Sequence, residues 1–192
     1  MSVNDAAQLG EMVAPTQIRR SIRRLFPNTP TVILGEILQN SQRAGAHHVD
    51  FVMTPSGFQC WDDGHGLQDG VQGFHALLQM GRSHFLDPHT EDQDPMGLGI
   101  HAILACADIS AVTFASHGLR LPIVTERWWE EQPYYSTWFE RMEVEESPTR
   151  GFFIEVAGTP AFRDQVRSLL GECGSGCRWT GTRLCWHARH HL

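Results

Sequence analysis

Lysine is missing altogether: all 15 basic residues of the 192-residue chain are arginines. That excludes a Walker A loop, which needs a lysine on the phosphates, and it excludes Schiff-base and general-base lysines. A coding bias toward arginine would account for the count, and the chemical exclusion stands either way. No apolar run approaches the roughly 18 residues of a membrane span, and the opening MSVNDAAQLGEM lacks the basic-then-apolar pattern of a secretory signal. The five cysteines are an odd number, with Cys60 and Cys106 in apolar contexts and Cys173, Cys177 and Cys185 near the end, and the reading is a reduced, cytoplasmic protein. The formal charge of -7 argues against nucleic-acid binding by whole-molecule charge and leaves only a local basic patch for it.

What is present reads as one domain with short appendages: a leader over 1–14, a domain over 15–170 and a tail over 171–192. From Pro15 a helix carries Ile18, Ile22, Leu25 and Phe26 on one face and Arg19, Arg20, Arg23 and Arg24 on the other, a stripe read as solvated rather than as a partner surface. A second helix runs from about Thr31 into Ala44-Gly45-Ala46, where the glycine suits a C-terminal cap. Val49–Met53 and Phe58–Trp61 alternate as strands around Pro55-Ser56-Gly57. A helical stretch from Gln68 to Met80, a polar loop over 81–95 and a helix from Gly97 to Ala107 follow. Ile109–Ser116 and Leu119–Thr125 form a hairpin about His117-Gly118. Tyr135–Glu145 and Gly151–Val156 read as strands, and Thr159–Leu170 as a closing helix. The class is α+β: a two-layer sandwich with helices on one face of a mixed, mostly antiparallel sheet. The Trp128-Trp129 pair is read as packing, with an exposed contact surface as the alternative.

Three segments carry chemistry. In the second helix Glu36 and Asn40 are four apart, so both project from one face with Cβ atoms about 5–6 Å apart. A carboxylate there can take a proton from water, and a carboxamide oxygen is a hard ligand suited to Mg²⁺. At a strand end, Asp62-Asp63-Gly64-His65-Gly66 places a carboxylate before closely spaced glycines, which lets the backbone turn and a flat ligand approach. The carboxylate can accept from an exocyclic amine; a plain tight turn, or a metal held by Asp62, Asp63 and His65, are the other readings, the metal being disfavoured because neighbours on a strand point to opposite faces. Third, Met96-Gly97-Leu98-Gly99-Ile100 opens a helix with glycine-spaced backbone, which offers free N–H groups to phosphate.

Taken in order, Glu-x-x-x-Asn on a helix, Asp-x-Gly-x-Gly after a strand and Gly-x-Gly before a helix resemble the Bergerat ATP-binding fold of the GHKL superfamily, which includes DNA gyrase B, the large heat-shock chaperones, histidine kinases and MutL proteins. The run Glu36 to Ala46 is especially similar to the MutL, chaperone and MORC branch, where this helix also ends in Ala-Gly-Ala. The stretch Leu78-Gln79-Met80-Gly81-Arg82-Ser83 resembles the segment that precedes the ATP lid. The resemblance implies Glu36 as the residue that activates the attacking water and Asn40 as the Mg²⁺ ligand. It implies Asp62 as the adenine reader, with Gly64 and Gly66 shaping the base pocket. Arg82, Ser83, Gly97, Leu98 and Gly99 would line the phosphates, and 82–96 would be a lid that orders over nucleotide.

Two departures bear on the activity. The family often carries a Gly-Thr pair on a late strand to assist adenine recognition, whereas this chain reads Thr149-Arg150-Gly151-Phe152. Many hydrolysing members take a γ-phosphate lysine from a following transducer domain, for which this chain has neither lysine nor length; Arg82 or a partner residue would have to substitute. The expectation is therefore Mg²⁺-dependent ATP binding with slow hydrolysis to ADP and phosphate, coupled to lid ordering and to contact with a protein partner or a second copy. The alternatives are a histidine-kinase or anti-sigma-type protein kinase with a separate acceptor, or a nucleotide-sensing module without catalysis. In the tail, Cys173, Cys177, Cys185, His187, His190 and His191 are zinc-ligand types, against the plainer reading of an arginine- and histidine-rich tail.

Overall fold

The computed structural model describes residues 15–25, 29–78, 99–130, 136–144, 151–171, 177–180 and 183–185. Helix α1 (Pro15–Leu25) buries Ile22 and leaves Arg20 and Arg24 in solvent. Its arginine stripe is not uniformly solvated: the Arg23 Nε donates to the Ala105 carbonyl, and Arg19 is partly buried. Burial, then the neighbouring Arg23, lowers the Arg19 pKa against the opposing charges of Glu126 and Glu130. Helix α2 (Pro30–Arg43) opens on Thr29, whose hydroxyl accepts from the Val32 amide at 3.4 Å, with Pro30 set where its missing N–H costs nothing. It closes at Ala44 and Gly45, whose φ of 70° is the left-handed turn a glycine allows.

Strands β1 (His48–Met53) and β2 (Gly57–Asp62) form a hairpin that leads into α3 (Val71–Leu78). That helix starts later than its apolar pattern predicts, because Asp69 and Gly70 both take positive φ in the turn before it. Helix α4 (Gly99–Ala105) is followed by β3 (Ile109–Ser116) and β4 (Leu119–Val124). The latter two join through His117 (φ 50°) and Gly118 (φ 83°), the paired positive angles of a tight hairpin turn. Helix α5 (Thr125–Glu130) was not anticipated, the run through Thr125 having read as strand. Thr125 instead turns its hydroxyl onto the Ile109 carbonyl at 2.7 Å and starts a helix that buries Trp128 and Trp129 completely. The exposed-surface alternative for that pair is thereby overturned.

The expected strand over Tyr135–Glu145 is also corrected. The chain forms a 3-10 helix, Ser136–Arg141, and only a two-residue strand, β5 (Glu143–Val144). Phe139 and Met142, three apart, both pack on the core, and the Phe139 ring stacks on His75 at 3.5 Å between centroids. A spacing of three is the repeat of a 3-10 turn and not of a strand. Strand β6 (Phe152–Gly158) and helix α6 (Pro160–Leu170, capped by Thr159) follow. Two strands unforeseen in the tail, β7 (Cys177–Thr180) and β8 (Arg183–Cys185), extend the sheet beside β1.

Among the described residues eight strands run in the order β5-β4-β3-β6-β2-β1-β7-β8, and every neighbouring pair is antiparallel. Alternation then sorts the side chains. Val49, Phe51, Phe58, Cys60, Val112, Phe114, Leu121, Ile123, Ile154 and Val156 point to one face, where the helices bury them. The other face carries a polar network, with Gln59 donating to Glu155 at 3.0 Å and Arg120 bridging Glu155 at 3.1 Å while lying 5.5 Å over the Phe153 ring. The protein is thus an α+β two-layer sandwich. Among the described residues no helix is long and apolar enough to cross a membrane.

The indole of Trp129 is both packing and donor, its Nε1 reaching the Leu104 carbonyl at 2.8 Å from a fully buried position. Trp129→Phe removes ring volume and leaves that carbonyl without its donor, so urea unfolding should show a loss of roughly 1–3 kcal/mol.

Candidate functional site

Helix α2, the end of β2, the loop after it, and helices α3 and α4 meet around a partly open cavity lined by Asn40, Ala44, Asp62, His65, Gly66, Leu67, Leu77, Ile100 and Phe152. Its walls are largely apolar, so the few polar groups decide what can enter and in which orientation.

Asp62 is the floor. It ends β2 on the inward face and is 4% exposed. The Ser41 hydroxyl donates to its Oδ2 at 2.8 Å and the Gly64 amide to its Oδ1 at 3.0 Å, and the Phe152 amide is a third donor. Burial nevertheless dominates and pushes the carboxyl above the usual carboxylate range, with the three hydrogen bonds and the Asp63 charge as lesser influences. An ionised carboxylate offers about four lone-pair positions. Among the described residues three are used by the chain, so one acceptor direction remains for a ligand. That geometry suits a single N–H donor better than a two-pronged guanidinium or amidine edge.

Asp63, the next residue, points the other way, as alternation demands. Its Oδ1 accepts from the His47 and His48 amides, each at 2.7 Å, and its Oδ2 lies 2.9 Å from the His48 ring. Burial acts against ionisation there, but the His48 amide and ring and the His47 amide outweigh it and hold the carboxyl below its ordinary range. A shared metal between Asp62, Asp63 and His65 is ruled out as a reading of this motif by these opposed directions, and among the described residues no group of three His, Cys, Asp or Glu gathers.

The glycines do two jobs. Gly66 (φ 65°) passes so close to Gly151, Ser116 and His117 that an added Cβ would fall 2.4 Å from the Gly151 carbonyl oxygen and 2.5 Å from Ser116 Oγ. Ser116 ties this junction together by donating to Gly151 at 2.6 Å and accepting from the Leu67 amide at 2.9 Å. Gly64 backs onto Ala44 at the end of α2. Gly99 opens α4, where an added Cβ would sit 2.1 Å from Glu36 Oε2, so the Glu36 carboxylate is pressed against the start of that helix. Asn40, one turn on from Glu36, lines the cavity. Its Oδ1 also stands 3.5 Å from the Arg43 guanidinium.

Asn40, Asp62 and Gly66 therefore line one cavity, Gly64 backs onto Ala44 beside it, and Glu36 meets Gly99 one helical turn from Asn40. Arg82, Ser83, Gly97 and Leu98, and the segment 82–96, lie outside the described residues. So do Cys173 and the tail histidines His187, His190 and His191. Ser41, Ser116 and Phe152 were not foreseen. Ser41 is discoverable in hindsight as the residue one turn before the end of α2 that shares its buried face with Ile37; Phe152 follows the Gly151 already noted. The cavity is walled by Phe152 at the position where the resemblance leads one to look for threonine.

The fold thus defines an α+β domain with a pocket between its helical layer and the end of its central strands. No protein-family model matches the chain, and neither a curated protein nor a solved structure matches it.

Two outcomes follow from this geometry. Because the folded-state pKa of Asp62 is raised, its contribution to stability is fully present below the unfolded value of about 3.9 and is lost as pH rises through the folded value. Thermal melting of the ligand-free protein should show this loss, and it should vanish in Asp62→Ala. Gly66→Ala must adopt a left-handed conformation and displace backbone as well, so it should cost at least roughly 2 kcal/mol in urea unfolding.

Proposed function

We propose that the cavity binds ATP with Mg²⁺ and that the protein hydrolyses it slowly to ADP and phosphate. The observation that carries the reading is a buried, three-times-anchored carboxylate and a helix-borne amide lining one pocket, with the helix-borne acid one turn from that amide and against the glycine that opens α4. A single remaining acceptor on Asp62 matches the single exocyclic amine of adenine. Leu67, Leu77, Ile100 and Phe152 supply apolar surface for the flat base, and Gly66 leaves room beside it.

The residues toward α4 suit the phosphate end. The Asn40 carboxamide and the Glu36 carboxylate are oxygen donors of the kind Mg²⁺ accepts alongside phosphate and water. Mg²⁺, when bound, would neutralise charge on the β- and γ-phosphates. Asn40 would hold it. In hydrolysis Glu36 takes a proton from water, the water oxygen bonds to the γ-phosphorus, and the bond from that phosphorus to the bridging oxygen breaks, releasing ADP. With no lysine in the chain, stabilisation of the γ-phosphate transition state falls to Mg²⁺ and to an arginine or a residue of a partner, which is why turnover is expected to be slow.

Saturating Mg·ATP should raise the melting temperature by roughly 5–10 °C, the shift expected at about a hundredfold excess over Kd for a chain of this length. Asp62→Ala should abolish the shift. Glu36→Ala should keep it while reducing phosphate release by at least roughly a hundredfold. An unshifted wild-type melting curve at millimolar nucleotide would overturn the reading. Equal phosphate release by the wild type and Glu36→Ala would remove Glu36 as the base.

A further inference from the structure

Helix α1 holds four of the chain's 15 arginines and no acid among them, although the formal charge of the whole is -7. Arg19 and Arg23, and again Arg20 and Arg24, are like charges one helical turn apart, a spacing that costs a helix stability. The inner pair is compensated within the protein. Arg19 lies in the field of Glu126 and Glu130, and Arg23 donates to the Ala105 carbonyl. The outer pair is not. Arg20 and Arg24 are exposed, and among the described residues no carboxylate comes within ion-pair distance of either.

A second surface has the opposite excess. Glu140, near the end of the 3-10 helix, and Glu143, in β5, are both exposed, and among the described residues neither meets a cation. Arg141, between them in sequence, is already engaged within the chain. Strand β5 is also an end of the sheet, paired with β4 on one side only, and its Val144 is 83% exposed. Pairing of two such edges with one another is opposed, because Glu143 would meet like charge.

The two surfaces are complementary in charge, and a single copy leaves both open. An acidic segment of another protein would answer the arginines and leave Glu140, Glu143 and Val144 as they are. A nucleic-acid duplex would do the same, and it would run past a helix only about 16 Å long onto an acidic molecule. A second copy supplies both complements at once. We propose that Arg20 and Arg24 of one copy dock on Glu140 and Glu143 at the β5 edge of a second copy, so that the chain associates with itself through two unlike surfaces. A two-fold axis between the copies would make the contact twice and close a dimer. The proposal is independent of the nucleotide reading of the cavity.

Exposed ion pairs contribute little singly, so the association is weak and belongs to high protein concentration. The test is sedimentation equilibrium of the full chain over roughly 10–500 µM, where weak contacts populate. Salt is held at about 0.15 M, which screens the net charge of each copy beyond about 8 Å. The average mass of the wild type should rise with concentration, and it should fall back in about 1 M salt, where screening sets in at roughly 3 Å. The double variant Arg20→Glu with Arg24→Glu should associate at least roughly tenfold more weakly, and so should Glu140→Arg with Glu143→Arg. The second of these lowers the net negative charge, so its loss of association cannot come from bulk repulsion. An equal mixture of the two variants, and a chain carrying all four substitutions, should both recover it.

A wild type that stays monomeric throughout, or association that both double variants retain, overturns the proposal. So does a mixture of the two variants that fails to associate. A monomeric wild type that binds a polyglutamate peptide or a DNA duplex through Arg20 and Arg24 replaces the second copy with another occupant and overturns it too. All four substituted positions are exposed, and circular dichroism of each variant separates a lost contact from a lost fold.

Discussion

A carboxylate 4% exposed at the end of a central strand is an expensive feature, and the surroundings of Asp62 are arranged to keep it in one orientation. Ser41 reaches it from α2, Gly64 from the turn that follows, and Phe152 from the neighbouring strand. Those donors belong to three elements, so helix, loop and sheet are tied at one point. The burial that raises its pKa is the same burial that makes its remaining acceptor position valuable to an incoming donor, because a hydrogen bond in a water-poor pocket is not diluted by solvent. Stability and recognition pull against each other at this residue.

The rest of the site follows from that anchorage. Because the Gly64 amide turns back onto Asp62 and His65 bonds to Ala44, the loop leaving β2 lies along the end of α2. Gly66 then threads between Ser116 and Gly151, where no side chain fits, and carries Leu67 into the core. The cavity is the space this route leaves between α2, α3 and α4. Asn40 lines one wall, Glu36 sits a helical turn before it, and Gly99 admits the Glu36 carboxylate to the start of α4 for want of a Cβ.

Much of this was legible in the chain because its signals are local. Thr29-Pro30 and Ala44-Gly45 bound α2 by capping chemistry, His117-Gly118 turns a hairpin by backbone freedom, and period-two alternation places β1, β2 and β3. The acid, amide, carboxylate and glycine were found the same way, by spacing. What escaped was decided by contacts distant in sequence. Thr125 reads as a strand end until its hydroxyl is seen on the Ile109 carbonyl. Phe139 and Met142 read as part of a strand until His75 supplies a stacking partner more than sixty residues earlier. Strands β7 and β8 carry little alternating hydrophobicity and exist by pairing, β7 with β1 and β8 with β7. Ser41 and His65 looked like helix and turn residues, and nothing local marks them as parts of a cavity.

Phe152 shows how such a site can differ from the pattern it resembles and still be coherent. Its amide serves Asp62, its ring lies 6.0 Å from Phe114 in the core, and it closes the cavity wall. A hydroxyl there would give a ligand one more polar partner; an aromatic ring gives apolar area and excludes water instead. Polar selectivity in the cavity then falls largely to Asp62 with its one available acceptor direction. With a buried carboxylate as the polar anchor, the remaining walls are left largely apolar, the usual composition of a small-molecule pocket.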